Sequence, residues 1–362
     1  MGEPRGLSHI LNPSRPSGEV QQLKVCDCFF IDAYEENGRY YHAWKRGTYP
    51  FPTDDRERSR YDMVHHLVYR VLLNHFSDPR TGEVHRDEHG RIIPVACAKP
   101  IVASQTPYSI LDLGCGSGIW ACDMGSRFPD AEITGVDIVG GQPQGENLTW
   151  RTPDSDAQSG IDFESAHWGL TGNSFDLIHA AHLCGSVSDW PRFFEKCKKH
   201  LRPKTGQIEL LEIDMTPRCD DGSLSPDAPI HQWWRLMQDA TPEKPIAYQA
   251  DTGGMLHRAG FVDIAHTEFR LPFSRTWSSD RREQAAGQWY RNLLLEQGDR
   301  FDSVAMFNGL SMGPLTRNLG WTKWQVDQLV ADVLRCIEDD RVHAYHTLHI
   351  WTARRPGSDE NL

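Results

Sequence analysis

No stretch of the 362 residues is apolar for the 18 or so positions that a bilayer-crossing helix needs. The N-terminus also lacks the short apolar core of a secretory leader. The expectation is a soluble, unsecreted chain. Cysteines are few, nine in all, odd in number, and spread from Cys26 to Cys336 without a C-x-x-C pair. Neither a zinc site nor a disulfide framework is indicated, and reduced thiols in cytosol or nucleus fit best. Cations are outnumbered: 38 Lys and Arg face 50 Asp and Glu, for a formal net charge of −12. That balance argues against direct, charge-driven binding to nucleic acid, which needs clustered cations opposite phosphates. It leaves open action on DNA through a partner. There is no internal repeat and no G-x-x-x-x-G-K-[ST] phosphate loop.

Hydrophobic residues at 39% and aromatics at 10% suffice for a core. The length fits one large α/β domain with additions, or two domains. Residues 108–120, YSILDLGCGSGIW, organise the rest. A short apolar run reads as a buried strand ending at Asp112. Three glycines follow at alternate positions, Gly114, Gly116 and Gly118, and then a helix-like run over 119–127. Glycine tolerates φ > 0 and lets a ligand approach the backbone, while the helix start offers free N–H groups. The dinucleotide fingerprint G-x-G-x-x-G fails here, because Ile119 stands where its third glycine belongs. D-x-G-x-G-x-G instead resembles motif I of the class I S-adenosylmethionine-dependent methyltransferases. A second acid, Asp137, ends the next strand (131–139), 23 residues beyond Gly114. That is close to the offset of about 20 for a ribose-binding carboxylate; the plainer reading is a strand or turn cap.

Taken in order, residues 1–24 are rich in Gly, Pro and Ser and read as a disordered tail. Residues 25–107 form an N-terminal cap and connection. Tyr40, Tyr41, His42, Trp44, Tyr49 and Phe51 crowd one aromatic segment, which either closes over a ligand or packs on the sheet edge. Tyr61, Val64, His65, Val68 and Leu72 recur at helical spacing behind a Thr53-Asp54-Asp55 start. Residues 78–107 read as a long connection. Further strands are expected near 148–151, at 174–181 and at 206–215, with a helix at 189–201. Strands alternating with helices imply a parallel sheet. Late strands at 261–273 and 345–355 pair at the sheet edge, and a helical insertion (281–338) covers the ligand cleft. The basic run 196–204 is a solvated helix end or a nuclear-import patch.

Five stretches then match one family together: residues 41–66, 111–138, 175–194, 212–224 and 341–356. They resemble the fungal LaeA-like methyltransferase-domain proteins across about 35–356. The resemblance implies a Rossmann-like class I methyltransferase fold: a seven-stranded α/β sheet over 108–356 with an N-terminal helical cap and the C-terminal insertion. It implies S-adenosylmethionine as cofactor, and a nuclear role in regulating secondary-metabolite gene clusters and development with velvet-family proteins. It places Asp112, Gly114, Gly116 and Gly118 at the methionine end and Asp137 on the ribose. Asp154, Asp156 and Asp162 compete for the adenine amine, and the resemblance of 161–168 favours Asp162, with 154–160 as an insertion. Tyr41, Cys115, Ile138 and Ala180 complete the cofactor-binding set. Departures include GCGSG in the loop, RPKTG before the fifth strand, and Ala181 where the family commonly has a larger polar residue.

Methyl transfer is an in-line displacement that rests on alignment, with a base needed only if the acceptor loses a proton. No catalytic residue is therefore named by the sequence. His65, His66, His182, His343 and His346 are candidates near a cleft. Glu212 and Asp214 end the fifth strand, where doubly wound sheets place ligands. The alternatives to a regulator are a pathway enzyme methylating a small metabolite, or a scaffold without turnover.

Overall fold

The computed structural model describes residues 20–24, 30–44, 46–73, 108–152, 160–274, 276, 278–295 and 306–360. The connection expected over 78–107 and most of the 154–160 insertion lie outside them. The chain opens with a small antiparallel sheet of β1 (Val20–Lys24), β2 (Phe30–Glu36) and β3 (Arg39–His42). This corrects two expectations. Residues 20–24 are a paired strand rather than part of a disordered tail, while 1–19 lie outside the described residues. Half of the aromatic segment is strand, not loop: Tyr41 is buried and stacks on Tyr34 across the β2–β3 pair.

Helix α1 (Asp55–His66) starts where expected. The Asp54 carboxylate caps it by accepting the Glu57 N–H at 3.1 Å. The helix runs on into a π-helical turn, Leu67–Leu72. A buried ionic chain ties cap to helix. Arg39 donates to both oxygens of Asp54 at 2.7 and 2.9 Å, and Glu57 accepts from Arg60 at 2.5 Å.

The main sheet follows from β4 (Ser109–Leu113), which leads through the glycine loop into α2 (Ile119–Arg127). Then come β5 (Glu132–Val136), β6 (Leu148–Arg151), β7 (Leu177–Ala181), α3 (Trp190–His200) and β8 (Gln207–Cys219). The chain ends with α4 (Pro229–Ala240), α5 (Thr252–Arg258), β9 (Val262–Pro272), α6 (Arg281–Leu295), α7 (Met306–Asn318), α8 (Lys323–Glu338) and β10 (Ala344–Arg354). Strand order is β6-β5-β4-β7-β8-β10-β9, parallel as far as β8. β10 is antiparallel to both neighbours, and β9 is the edge. The seven-stranded α/β architecture is as expected.

The central strands are apolar on both faces, as a sheet covered on both sides requires. Leu111, Leu113, Ile178 and Leu210 point into one core with α3 and α5. Ile110, Leu177 and Leu211 point into the other, with α2, α4 and the C-terminal helices. Trp233 is fully buried there; its Nε1–H donates to Ser311 Oγ at 2.7 Å and its ring meets Phe307 edge-on. The basic run at the end of α3 is held by carbonyls. Lys196 Nζ donates to Phe163 O and Lys198 Nζ to Ala259 O, while Arg355 Nη1 gathers the oxygens of Lys198 and Leu201. Residues 357–360 fold back through Lys204–Asp359 and Arg354–Glu360 pairs.

Candidate active site

Three backbone reversals make the cradle. Gly114, Gly116 and Gly118 have φ of 72°, 55° and 83°, the left-handed region open to glycine. Val136 O accepts the N–H groups of Gly114 at 2.8 Å and Cys115 at 3.0 Å, fixing the loop to the end of β5. A Cβ on Gly116 would meet nothing within 4 Å, so open space stands over the middle of the loop. Asp137 closes the far side. Its carboxylate accepts the Gly116 N–H at 2.8 Å and the Val139 N–H at 2.9 Å. Burial raises it to about 6 despite those bonds. Asp112 is likewise raised to about 6, by burial and by Asp137, and its Oδ2 is buried without a partner.

A cleft of about 170 Å³ lies above this loop. Asp112, Gly114, Cys115, Gly116, Asp137, Ile138 and Asp162 all line it. Gly118, Tyr41 and Ala180 are not among its lining residues. Gly118 lies against Trp150 and Gln142 at the start of α2. Tyr41 lies under the Arg317 guanidinium, 4.2 Å from its ring centre. Ala180 belongs to the α3-side core. The roof is the N-terminal cap: Thr48, Tyr49, Pro52, Glu57, Tyr61 and Tyr69 line the cleft, and no described residue of 281–338 does. The described part of the helical insertion therefore does not cover the cleft, contrary to expectation. It packs behind α1 and α4, where its apolar faces find the larger core. The cap is fastened to the cradle. Arg58 donates to the carbonyls of Gly140 and Gly141 at 3.2 Å each, and Ser117 Oγ bonds Asp62.

The candidate histidines divide. His65 and His182 line the cleft. His66 stacks edge-on against His65, His346 Nδ1 lies 2.7 Å from Tyr290 Oη, and His343 pairs with Asp221. Glu212 accepts the backbone N–H groups of Leu183 and Cys184 and braces that loop, whereas Asp214 accepts the Thr216 N–H and the Arg218 guanidinium within β8, which runs on to Cys219. Sequence reasoning missed His179 and Trp120, which both line the cleft and whose rings stack at 3.8 Å. Among the described residues, His266, Glu268 and His349 stand at metal-ligand spacing. The two imidazoles, however, lie 10° from parallel and meet nitrogen to nitrogen at 3.0 Å, the geometry of an N–H···N bond.

Titration follows from this burial. His42, His182, His346 and His349 are lowered to about 4, 3, 3 and 4, chiefly by desolvation. Each is neutral when folded and protonates on unfolding, so its contribution to stability is present above pH 6.5 and lost as pH falls below it. Asp112, Asp137 and Glu212, raised to about 6, 6 and 7, act in the opposite sense. His65, His200 and His266 are lowered too, which leaves the imidazoles ahead. The melting temperature is expected to fall between about pH 6.5 and 5; a flat or rising trend in calorimetry contradicts this balance.

The residues fit an adenosyl sulfonium cofactor. A glycine-rich loop with open space over Gly116, an orphaned buried acid at the first strand tip and a second acid at the neighbouring tip together suit an amino-acid end and a ribose. Cradle and sheet order together define a class I methyltransferase. A methyltransferase-domain family model matches residues 84–266. The chain is 40% identical over 328 residues to the secondary metabolism regulator LAE1 of Cochliobolus heterostrophus, covering 89% of this chain and 95% of that one. It is 36% identical over 330 residues to a protein-methionine methyltransferase, laeA, of Emericella nidulans, covering 89% and 76%. Haemonchus contortus phosphoethanolamine N-methyltransferase 2, solved with S-adenosyl-L-methionine, aligns with a TM-score of 0.41 at 16% identity, over 83% of this chain and 59% of that one. The chain belongs to the LaeA family of methyltransferase-domain regulators of secondary metabolism, and its cofactor is S-adenosylmethionine.

Proposed function

We propose that the chain regulates secondary-metabolite gene clusters from the nucleus, as a methyltransferase working in complex with velvet-family proteins. The observation that carries this reading is the likeness to a named regulator along 95% of that regulator's length. The net charge of −12 supports action through protein partners rather than on DNA directly. In this reading Asp137 holds the ribose hydroxyls, the loop 114–118 takes the methionine end, Asp112 its amine, and Asp162 the adenine amine. The cofactor supplies an electrophilic methyl group. The chain supplies position: the roof formed by Tyr49 and Tyr61 excludes water, and Arg58 and Asp62 keep the cradle shut against α1.

Affinity purification from nuclei tests the partner. Velvet-family proteins are expected with the tagged chain; their absence both there and with purified components removes the complex. A second reading, methylation of a small metabolite, is favoured by the aromatic walls of the cleft, Tyr49, Tyr61 and Tyr69. Metabolite profiling of a deletion separates the two. Loss of whole compound families supports regulation, whereas loss of one methyl group supports pathway chemistry.

A further inference from the structure

A second cavity, of about 50 Å³, adjoins the cleft, and Tyr61 and His182 line both. Strand order explains its place. β7 and β8 follow β4 on the side away from β5, so their carboxyl ends lie beyond Asp112, opposite the ribose-side acid Asp137. His182 and Cys184 leave β7 there, and Glu212, Ile213 and Met215 come from β8. His182 turns off the strand at φ 58°, a left-handed backbone uncommon for a residue with a Cβ. The cap supplies Phe51, Arg60 and Val64, and α7 supplies Met306 and Leu310. The insertion therefore walls this cavity, although no described part of it lines the cleft. Tyr61, His182 and Cys184 are the half-buried members of the lining and the rest are buried, so the cavity opens on the side it shares with the cleft. Its charged groups are engaged with the protein. Arg60 donates to Glu57, and Glu212 takes the N–H groups of Leu183 and Cys184. Most of the remaining wall is apolar.

We propose that this cavity seats the side chain that receives the methyl group, and that it selects an unbranched, uncharged chain. The inference rests on the methyltransferase reading and adds where the acceptor sits and what shape it has. A volume of about 50 Å³ holds about four water-sized groups in a row. An aromatic side chain is too wide for it. A lysine would bring a second cation beside Arg60, with the Glu212 carboxylate already taken by two N–H groups. A thioether meets both conditions. Its sulfur lone pair forms the bond to the methyl carbon, and the pair of the broken carbon–sulfur bond stays on the cofactor's sulfur. The positive charge moves from one sulfur to the other, and no proton is released. No base is then required, which suits the imidazole on the wall, His182, lowered to about 3 by burial.

The test uses the purified full chain with S-adenosylhomocysteine bound and its methionine methyls labelled with carbon-13. Met215→Leu and Met306→Leu assign the two signals. Ethyl methyl sulfide is expected to shift both, and propylamine, matched in length but cationic, to shift neither. Cys184→Phe places a ring at the open side of the cavity and is expected to abolish the shifts. With tritiated S-adenosylmethionine, and extract from a strain lacking the gene as the pool of acceptors, a second readout follows. The same variant is expected to transfer methyl about 100-fold more slowly, with affinity for S-adenosylhomocysteine within about threefold of wild type. Equal shifts from the amine, or none from the sulfide, overturn the proposal. So does wild-type transfer by Cys184→Phe, or no transfer by a wild-type chain that binds S-adenosylhomocysteine. The methyl spectra of the wild-type chain decide the matter even where the variant does not fold. Failure of the wild-type chain to bind S-adenosylhomocysteine sinks the cofactor reading, and this inference with it.

Discussion

Asp137→Ala is expected to raise the dissociation constant for S-adenosylhomocysteine by about 100-fold or more in titration calorimetry. Each hydrogen bond to an ionised group contributes roughly 1.5–3 kcal/mol, and about 1.4 kcal/mol is tenfold in affinity. Two effects combine. In the proposed reading the carboxylate accepts from the ribose hydroxyls, and it also holds Gly116 and Val139 through their N–H groups. Its removal frees the middle of the loop as well as emptying the acceptor position. Asp137→Asn keeps the shape and loses the charge, so a loss of about tenfold is expected from it. Because burial holds Asp137 near 6, binding to the wild-type chain should weaken as pH falls through about 6. Affinity for Asp137→Ala within threefold of wild type would place the cofactor elsewhere.

Glu57→Ala should destabilise the fold by about 3–5 kcal/mol, because it leaves a buried guanidinium without its partner. Arg60 is 8% exposed, and Glu57 Oε1 accepts from both its Nε and its Nη2. Glu57 also stands 3.7 Å from Arg39, so the loss reaches the small sheet. Denaturant unfolding measures it. Glu57→Ala with Arg60→Met removes both charges and is expected to recover part of the loss. If the single change costs less than about 1 kcal/mol, the ionic chain is not what holds the cap.

The core sheet was legible because its signals are local. Glycines at 114, 116 and 118 have no cheap substitute at positive φ, and apolar runs such as 108–113 have no second reading beside them. The strands of the cap were not legible, because they pair residues with one another, not with a periodic face. Tyr41 reads as an aromatic in a loop until Tyr34 and Arg317 are seen on either side of it. The insertion was misplaced over the cleft because helical periodicity says which face is apolar but not what that face meets. His179 escaped notice inside an apolar run, where one imidazole reads as a satisfied core residue. The available signal was positional: Asp112, His179 and Glu209 occupy one level of three parallel strands, visible only once their register is known.

The place of β10 between β8 and β9 governs how the protein can be made. Its partners are complete long before it leaves the ribosome, yet neither can close its open ladder until residues 344–354 emerge. A nascent chain must therefore hold the bare β8 edge from residue 219 and the bare β9 edge from residue 272 until β10 emerges, a state prone to wrong pairing. A premature stop just ahead of residue 344 would leave both edges bare for the life of the product.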